Sequence, residues 1–465
     1  MQPAAMIPDP SSPGFWLTGT LDSVEPTLRG AARCDVAVIG GGFTGLWTAI
    51  QLLDADPGLR VRVLEMERVG FGASGRNGGF CDASLTHGLA NGIAHFPHEI
   101  RQLEAEGRRN LGELVAFVEA EGIDCCLEKT GAMSVADHPH QVDGLREFAD
   151  VAADYGVSLT FFDRKALAAE IRSPVFEAGL LAGPEQTVML DPAKLARGLK
   201  HASLGRGVTI HEQTRAVGVE RRAGAVRIRT STGATLLAQH VVVATSAYSG
   251  WLGRLQRLFV PVYDYVLVSD PLTPDQLASV GWQRRMGISD AGNQFHYFRL
   301  TADDRILWGG YDAVYHPGNR VGPDLDQRPE TFKRLERQFF RAFPQLIGLR
   351  FPWRWGGAID TTSRFMATFG QSLGGRLTYA LGYTGLGVGA ARWAGGVVRD
   401  LILDPDADRL QLEMVRSVPF PFPPEPARSL TVAAVQHELA RADERGGRRG
   451  LLLRTLDAIG VGFDS

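Results

Sequence analysis

A glycine-rich run, GGGFTG over residues 40–45, has the G-x-G-x-x-G spacing of a turn that binds phosphate groups. The first glycine of such a turn allows a tight bend, the second lets a pyrophosphate approach the backbone, and the third lets a helix pack on a strand. The start of that helix offers free N–H groups and the positive end of the helix dipole to the phosphates. The residues predicted to bind a cofactor here are Gly40, Gly42, Phe43, Thr44 and Gly45.

The segments on either side of this turn predict a β-α-β unit and therefore a parallel sheet. Residues 35–39 form an apolar strand pattern, apolar residues then recur at helical spacing, and residues 61–65 predict a second strand. Glu65 ends that strand 20 residues after Gly45, where a carboxylate can bind ribose hydroxyls. A glycine-rich core turn beside a surface glutamate is the alternative, but the strand, the helix and the acid together favour a dinucleotide site.

NAD and FAD both bind to a glycine turn of this kind, and two further runs of small residues favour FAD. The run 70–79 contains small residues that would let a loop pass beneath a large flat ligand, with Arg76 near a phosphate or a flavin edge. The run 382–388 begins a second helix, whose dipole suits the negative charge that a reduced flavin gathers at N1 and O2. The cofactor contacts predicted from these runs are Ser74, Arg76, Asn77, Gly78, Gly79, Gly382, Thr384, Gly385, Gly387 and Val388.

Over about residues 15–405, these three elements resemble the superfamily of FAD-dependent D-amino-acid, glycine and sarcosine oxidases. The runs 72–79, 297–300 and 307–310 resemble its γ-glutamylputrescine oxidoreductase-like enzymes. The resemblance implies FAD, and oxidation of a C–N bond by hydride transfer to flavin N5. The resulting imine would hydrolyse to an aldehyde or keto product. Val217, Ala244 and Gly357 complete the predicted cofactor contacts.

The resemblance also implies α/β plus antiparallel β architecture: a Rossmann-type, glutathione-reductase-like FAD domain and a second antiparallel-sheet substrate domain. Alternating and aromatic strand patterns between 262 and 312 predict the antiparallel sheet. The predicted segments are an N-terminal arm (1–30), the FAD domain (31–110, 185–262 and 352–405), the substrate domain (111–184 and 263–351) and a C-terminal helical extension (406–465).

Departures from the family pattern bear on the substrate. No arginine occurs in the stretch 355–360, where amino-acid-oxidising relatives hold the substrate carboxylate, and Gly389 replaces the lysine of sarcosine oxidases. A carboxylate left unpaired in a pocket is costly, so we expect an amine whose acidic group, if any, lies far from the oxidised carbon. Ala358 and Asn77 stand where some relatives attach FAD covalently, which predicts non-covalent FAD. Leu307 replaces the oxygen-activating lysine, so oxidase and dehydrogenase both stay open.

Aromatic and basic residues on the second domain's strands are the candidate pocket residues. No general base is evident, and an apolar pocket could favour the neutral amine by desolvation. Ordinary packing is the alternative for each of these side chains. The predicted catalytic residues are Tyr311, which falls near an active-site histidine of sarcosine oxidases, His296 and Tyr263, and the predicted substrate-binding residues are Arg299, Tyr265 and Tyr297.

Composition restricts the classes of function. The chain has 465 residues with a net charge of -3, which does not favour binding to nucleic acid or to an anionic membrane surface. It contains 4 cysteines, no recognisable signal peptide and no apolar run long enough to span a bilayer, so we expect a cytoplasmic protein. The scattered histidines lack the spacing of a metal site, and the oligomeric state stays open.

These features predict an FAD-dependent amine oxidase or dehydrogenase acting on CH–NH or CH–NH2 groups of a small-molecule amine. Three alternatives stay open: an oxidase of an α- or N-methyl amino acid, a flavoprotein reduced by a nicotinamide, and a protein that uses FAD only structurally.

Overall fold

The computed structural model describes residues 14–18, 23–253 and 255–458. Of the predicted N-terminal arm, residues 1–13 and 19–22 therefore lie outside the described residues. Within the arm, a short 3-10 helix, Phe15–Leu17, buries Trp16. The indole N–H of Trp16 donates to the carbonyl of Asn77 at 2.9 Å, so this part of the arm fixes the small-residue loop.

The chain alternates strands and helices in its first part and becomes strand-rich in its middle part. The strands are β1 (Ala31–Ile39), β2 (Val61–Leu64), β3 (Phe80–Asp82), β4 (Ala132–Ala136), β5 (Leu159–Asp163), β6 (Ala178–Ala182), β7 (Thr187–Met189), β8 (Thr209–His211), β9 (Ala216–Arg222), β10 (Ala225–Thr230), β11 (Thr235–Val243), β12 (Val260–Val268), β13 (Gly287–Asp290), β14 (His296–Leu300), β15 (Ile306–Gly310), β16 (Val314–Tyr315), β17 (Trp353–Thr361), β18 (Thr368–Ser372) and β19 (Leu377–Leu381). The α-helices are α1 (Phe43–Ala55), α2 (Leu89–His95), α3 (Ile100–Ala120), α4 (Val142–Asp154), α5 (Arg164–Glu170), α6 (Pro192–Gly205), α7 (Pro274–Val280), α8 (Pro329–Ala342), α9 (Gly387–Leu403), α10 (Glu413–Arg416), α11 (Ala427–Glu444) and α12 (Leu451–Ala458).

The first sheet has the order β18-β19-β11-β1-β2-β8, with β10 and β9 following β11 on a side branch. Its centre is parallel, because β1 pairs in parallel with both β11 and β2, and β11 pairs in parallel with β19. Val36 and Val38 of β1 are buried against apolar side chains of α1 and α9, such as Leu46 and Val397. The carboxyl ends of β1 and β2 thus carry the glycine turn and Glu65 at one edge of the sheet.

The second sheet has the order β16-β12-β15-β14-β13-β4-β6-β5, and β17 pairs with β12. Its pairings are antiparallel except for β13 with β4. Helix α8 covers it with Phe332, Leu335 and Phe339, which are buried with Phe298 and Trp308 of the sheet. The structure thus has a Rossmann-type domain and a second, largely antiparallel sheet, which confirms the predicted architecture.

Two domain boundaries differ from those predicted. Strand β17 pairs with β12 from Thr361 opposite Val260 to Trp353 opposite Val268, so it belongs to the second sheet rather than to an FAD segment that begins at 352. Helix α3 lies across the predicted boundary at 111, yet its buried face packs in the core of the first domain. Helical spacing identifies an apolar face but does not say which sheet that face covers.

The C-terminal segment contains the helices α10, α11 and α12 between Glu413 and Ala458, and residues 459–465 of the predicted extension lie outside the described part of the chain. Helix α10 comes before a proline-rich stretch at 419–426, and α11 and α12 follow it. As for the bilayer, none of the helices described here combines the length and the apolar character needed to cross it.

Candidate active site

A cavity of about 1300 Å³ lies between the two sheets and extends from the glycine turn to the C-terminal helices. A site for one small ligand usually has about 300–1,000 Å³, so this cavity has room for a dinucleotide and a second molecule. The predicted residues that line it are Gly40, Gly42, Phe43, Thr44, Glu65, Ser74, Arg76, Asn77, Gly78, Ala244, Gly357, Thr384, Gly385, Gly387, Val388, Tyr297 and Tyr311. The predicted residues outside its wall are Gly45, Gly79, Gly382, Val217, Tyr263, Tyr265, His296 and Arg299.

The turn between β1 and α1 is shaped as a cradle. Gly40 has φ +112°, and a Cβ atom there would collide with the carbonyl of Ala244. A Cβ atom on Gly45 would collide with the carbonyl of Gly40, so Gly45 serves the packing of the helix on the strand rather than the cavity wall. A Cβ atom on Gly42 would meet only the Ser74 hydroxyl, at 2.8 Å. Gly42 therefore contributes bare backbone to the cavity wall.

Glu65 closes one end of this cradle. Its carboxylate accepts hydrogen bonds from the backbone N–H groups of Gly41 at 2.7 Å and Glu67 at 2.9 Å. Burial raises the pKa of Glu65 to about 7, although these two hydrogen bonds act in the opposite direction. The carboxylate thus holds the backbone of the turn at the cavity wall.

The small-residue loop is held by its own polar side chains. The Ser74 hydroxyl accepts from the N–H of Phe43 at 2.9 Å, which ties the loop to the cradle. The Asn77 amide donates to the carbonyls of Ala73 and Ser74, both at 3.0 Å. The Arg76 guanidinium donates to the Asp326 carboxylate at 2.5 Å. Arg76 thus bridges this loop to the second domain.

The second glycine turn, before α9, is anchored by a buried acid. Asp360 accepts from the N–H of Gly382 at 2.5 Å, and burial raises its pKa to about 6. Gly382 has φ +88° and shapes the turn from outside the cavity wall. The Thr44 hydroxyl donates to the Tyr383 hydroxyl at 2.8 Å. This hydrogen bond joins the two glycine turns, so both face one continuous space.

His87 lines the cavity beside this second turn and was not predicted. Its Nε2 lies 2.9 Å from the carbonyl of Thr384, and burial lowers the pKa of the imidazole. A neutral imidazole with its proton on Nε2 fits this contact.

Residues predicted for catalysis, substrate binding and FAD binding also lie outside the cavity wall. The Tyr263 hydroxyl donates to the carbonyl of Gly322 at 3.2 Å, and that of Tyr265 to the carbonyl of Leu325 at 2.9 Å. Both rings are buried on the face of β12 opposite to the cavity. Val217 lies on β9 with 42% of its surface exposed, away from the cradle. Side chains alternate between the two faces of a strand, and the sequence alone did not show which face meets the cavity.

Arg299 is fully buried rather than exposed to a ligand. Its guanidinium donates to the carbonyl of Leu190 at 2.8 Å and to that of Gly79 at 3.1 Å. Burial lowers the pKa of Arg299 to about 10. These contacts give Arg299 a structural role, in which it fixes the end of the small-residue loop that contains Gly79.

His296 and Tyr311 form a stack at the far end of the cavity. Their rings lie 5.1 Å apart, and His296 Nδ1 lies 2.6 Å from the Asp290 carboxylate. Burial lowers the pKa of His296, but the hydrogen bond to Asp290, the charges of Asp290 and Asp137 and a hydrogen bond with Gln338 together outweigh it, so the net pKa is raised. Only Tyr311 and Asp290 of this group reach the cavity wall, so His296 could act on a bound molecule only through them.

Beside Tyr311, a cluster of charged residues was missed by the sequence reasoning. The Asp312 carboxylate is buried and accepts from Arg334 at 2.5 Å and from the Thr331 hydroxyl at 2.6 Å. Arg328 lies 3.3 Å from the same carboxylate. Arg328 and Arg334 come from the start of α8, far from Asp312 in sequence, so their approach depends on the fold.

The C-terminal segment supplies the outer wall, which the sequence did not predict. Val432, Val435 and Leu439 line the cavity from one face of α11, together with part of the stretch 420–423. The Asp443 carboxylate accepts from the N–H groups of Asn293 and Gln294, both at 3.0 Å. The spacing of these apolar residues was visible as helical, but nothing local indicated that they face the cavity.

No group of three or more histidine, cysteine, aspartate or glutamate side chains placed to hold a metal ion occurs in the described residues.

Comparison with known proteins identifies the family. The sequence model described as FAD dependent oxidoreductase, DAO, matches residues 35–401. A γ-glutamylputrescine oxidoreductase of Escherichia coli strain K12 is 31% identical over 402 residues, which cover 85% of this chain and 89% of that protein. A probable oxidoreductase OrdL of Haemophilus influenzae is 29% identical over 399 residues, 83% of this chain and 86% of that protein.

Solved structures agree on the fold. Glycine oxidase from Geobacillus kaustophilus superposes with a TM-score of 0.69 at 19% identity, over 83% of this chain and 100% of that chain. L-proline dehydrogenase from P. horikoshii superposes with a TM-score of 0.66 at 18% identity, over 83% of this chain and 96% of that chain. With the glycine cradle, the second glycine turn and the family match in place, the chain belongs to the DAO family of FAD-dependent oxidoreductases, and FAD is the cofactor of its cradle.

Proposed function

We propose that this enzyme oxidises the C–N bond of a small-molecule amine to an imine, which then hydrolyses to an aldehyde or keto product. FAD, when bound, accepts the hydride of this reaction. The relative named γ-glutamylputrescine oxidoreductase supports an amine donor. The chain's own residues supply the cradle for the cofactor, the cavity for the amine, and the walls that exclude water.

The observation that carries the choice of substrate is the absence of a basic clamp at two places in the described structure. The cavity-lining residues of the stretch 355–360 are Trp355, Gly357, Ala358, Ile359 and Asp360, none of them basic. A Cβ atom on Gly389 would collide with the carbonyl of Asp82, so this helix position packs against β3. Because a buried carboxylate needs a cationic partner, a simple α-amino acid is a poor fit at this end of the cavity.

The attachment of FAD is proposed to be non-covalent. Asn77 and Ala358 line the cavity and carry no nucleophilic side chain. Acid precipitation should therefore release FAD into the supernatant, whereas retention of the yellow colour in the pellet would contradict this proposal.

The proposed location is the cytoplasm. Cys34, Cys81, Cys125 and Cys126 are all free thiols, and the first three are buried. Free thiols are typical of proteins in reducing compartments.

The test of the proposed function is the flavin absorption spectrum of the purified protein, recorded anaerobically during addition of amines. We expect bleaching by monoamines, diamines or γ-glutamylated amines, and little bleaching by glycine, sarcosine or D-amino acids. Bleaching by those amino acids instead would favour the amino-acid oxidase alternative. Rapid bleaching by NADPH alone would favour the nicotinamide-reduced alternative, and no bleaching by any donor would contradict catalysis.

A further inference from the structure

A half-buried carboxylate faces the cavity at the point where the small-residue loop meets the second sheet. Asp264 lies on β12 and accepts a short hydrogen bond from the hydroxyl of Tyr297 on β14. Both side chains line the cavity. The Tyr297 ring lies against Gly78 of the loop, where a Cβ atom would be only 2.7 Å from the ring. The Asp264–Tyr297 pair therefore borders the space shared by cofactor and substrate.

Asp264 has no basic partner among the described residues. The neighbouring charge that acts on it is the Asp312 carboxylate, which repels it. From β17, its opposite residue is Gly357, which has no side chain. The side chain of Arg76, which passes over Gly357, is already paired with Asp326. The next residue of β12, Tyr265, points to the other face of the sheet and donates to Leu325.

A bound cationic ligand would stabilise the carboxylate of Asp264 in this position. Removing an ionised carboxylate from water without a cationic partner is costly. The chain gives Asp264 hydrogen bonds from the Tyr297 phenol and from the backbone N–H groups of Tyr265 and Gly310, but no cation. An amine is predominantly an ammonium ion in water at neutral pH. The ammonium group of a substrate would complete the ion pair that Asp264 lacks.

We propose that Asp264, oriented by Tyr297, binds the ammonium group of the substrate and accepts its proton, so that the amine is neutral when its C–H bond is oxidised. The transfer balances as R–NH3⁺ plus carboxylate giving R–NH2 plus carboxylic acid. This inference rests on the proposed amine substrate and adds the residue that the sequence left unassigned, a base. The phenol of Tyr297 donates to Oδ2 of Asp264 and so fixes the orientation of the carboxylate.

The proposal predicts a specific pH dependence. Burial raises the pKa of Asp264 to about 6, although the hydrogen bond from Tyr297 lowers it. The acid must be ionised to accept a proton, so kcat/KM for the amine should fall as the pH decreases through about 6. Removing the phenol should raise the pKa of Asp264 further and move this acidic limb to higher pH.

The experiment compares Asp264→Asn, Tyr297→Phe and the wild type by anaerobic stopped-flow reduction of the flavin between pH 5 and 9, with flavin content and Tm measured for each protein. Asp264→Asn should lower kcat/KM at pH 7.5 by at least about 100-fold and abolish the acidic limb. Tyr297→Phe should keep the limb but move it to higher pH. Asp275→Asn, an exposed aspartate in the first turn of α7, is the matched control.

The outcomes separate this inference from the proposed function. If amines reduce the wild type, and Asp264→Asn retains FAD, the acidic limb and near-normal rates, Asp264 is not the base. If Asp264→Asn fails to retain FAD, the Tyr297→Phe variant provides the test. A shift of its acidic limb to higher pH supports the proposal, and an acidic limb at the wild-type pH overturns it. If no amine reduces the wild type, it is the proposed function that fails.

Discussion

The cofactor cradle and the substrate wall of the same cavity are built in different ways. The cradle consists of contiguous runs, 40–45, 72–79 and 382–388, in which backbone conformation and the lack of a Cβ atom form the surface. The wall consists of side chains from β12, β14, α8 and α11 that are distant in sequence. A surface made of backbone depends on local residue types, whereas a surface made of side chains depends on long-range pairing.

The largest expected effect comes from adding side chains to the cradle, where two glycines should respond differently. Gly42→Val should abolish FAD retention and lower the Tm of the apoprotein only slightly, because its new atoms would meet one flexible hydroxyl and otherwise fill the phosphate space. Gly45→Val should destabilise the fold itself by about 3 kcal/mol or more, because its Cβ atom would collide with backbone.

Flavin content and apoprotein Tm measure these two effects. Gly112→Val is the control, because a Cβ atom at this position of α3 meets nothing within 4 Å. A fully yellow Gly42→Val protein would contradict the assignment of the cradle.

The second prediction concerns Arg299, which supports the cavity from behind. Arg299→Met should lower the free energy of unfolding by about 2–4 kcal/mol, because the carbonyls of Gly79 and Leu190 would lose a buried charged donor. With FAD saturating, KM for the amine should change less than about twofold. Arg350→Met removes an ion pair at a side chain that is 80% exposed, and should cost less than about 1 kcal/mol. Urea unfolding measures the stability and steady-state kinetics measure KM. A raised KM with unchanged stability would contradict the structural role of Arg299.

The same contrast explains how much could be predicted from the sequence. The turn at 40–45 and the acid at Glu65 follow from spacing alone, because a β-α-β unit places them at one sheet edge. It was harder to predict which face of a strand meets the cavity. Tyr263 and Tyr265 alternate with Asp264 along β12, and the prediction from the sequence selected the aromatic face. Which face meets the cavity is decided by the register of β12 with β15 and β17, which no local pattern specifies.

The outer wall shows the same limit. Leu439 and Leu430 belong to one helix, α11, yet Leu439 lines the cavity and Leu430 is 70% exposed. Composition cannot separate the two leucines, because the orientation of α11 depends on contacts with distant residues. Asp443 accepts from Asn293, and Gln436 donates to the carbonyl of Ala313.

The third prediction uses this pair of leucines. Leu439→Trp should narrow the outer compartment and lower kcat/KM for the longest accepted alkyl amine by about 10-fold, with less effect on the shortest. Leu430→Trp, the matched control on the same helix, should leave both values unchanged. The measurement is kcat/KM across an amine series of increasing chain length. An equal loss for all chain lengths would show that α11 does not set substrate size.

The smallest effect that we predict tests whether Glu65 is part of the cradle or only of the fold. In the apoprotein, burial raises the pKa of Glu65 from 4.5 to about 7, so the folded state binds its proton more tightly than the unfolded chain does. This contribution to stability is complete below pH 4.5 and is lost as the pH rises through 7. Asp264 and Asp360, with raised pKa values of about 6, act in the same direction.

The apoprotein should therefore be less stable at pH 8 than at pH 5, and Glu65→Gln should reduce this difference by about 1–2 kcal/mol. Ribose hydroxyls would donate to the ionised carboxylate, so bound FAD should flatten the same dependence in the wild type while Glu65→Gln binds FAD more weakly. Glu147→Gln, at an exposed position of α4, is the control for urea unfolding at the two pH values. If FAD binds Glu65→Gln as tightly as the wild type, the carboxylate belongs to the fold alone, and the cradle ends at the glycine turn.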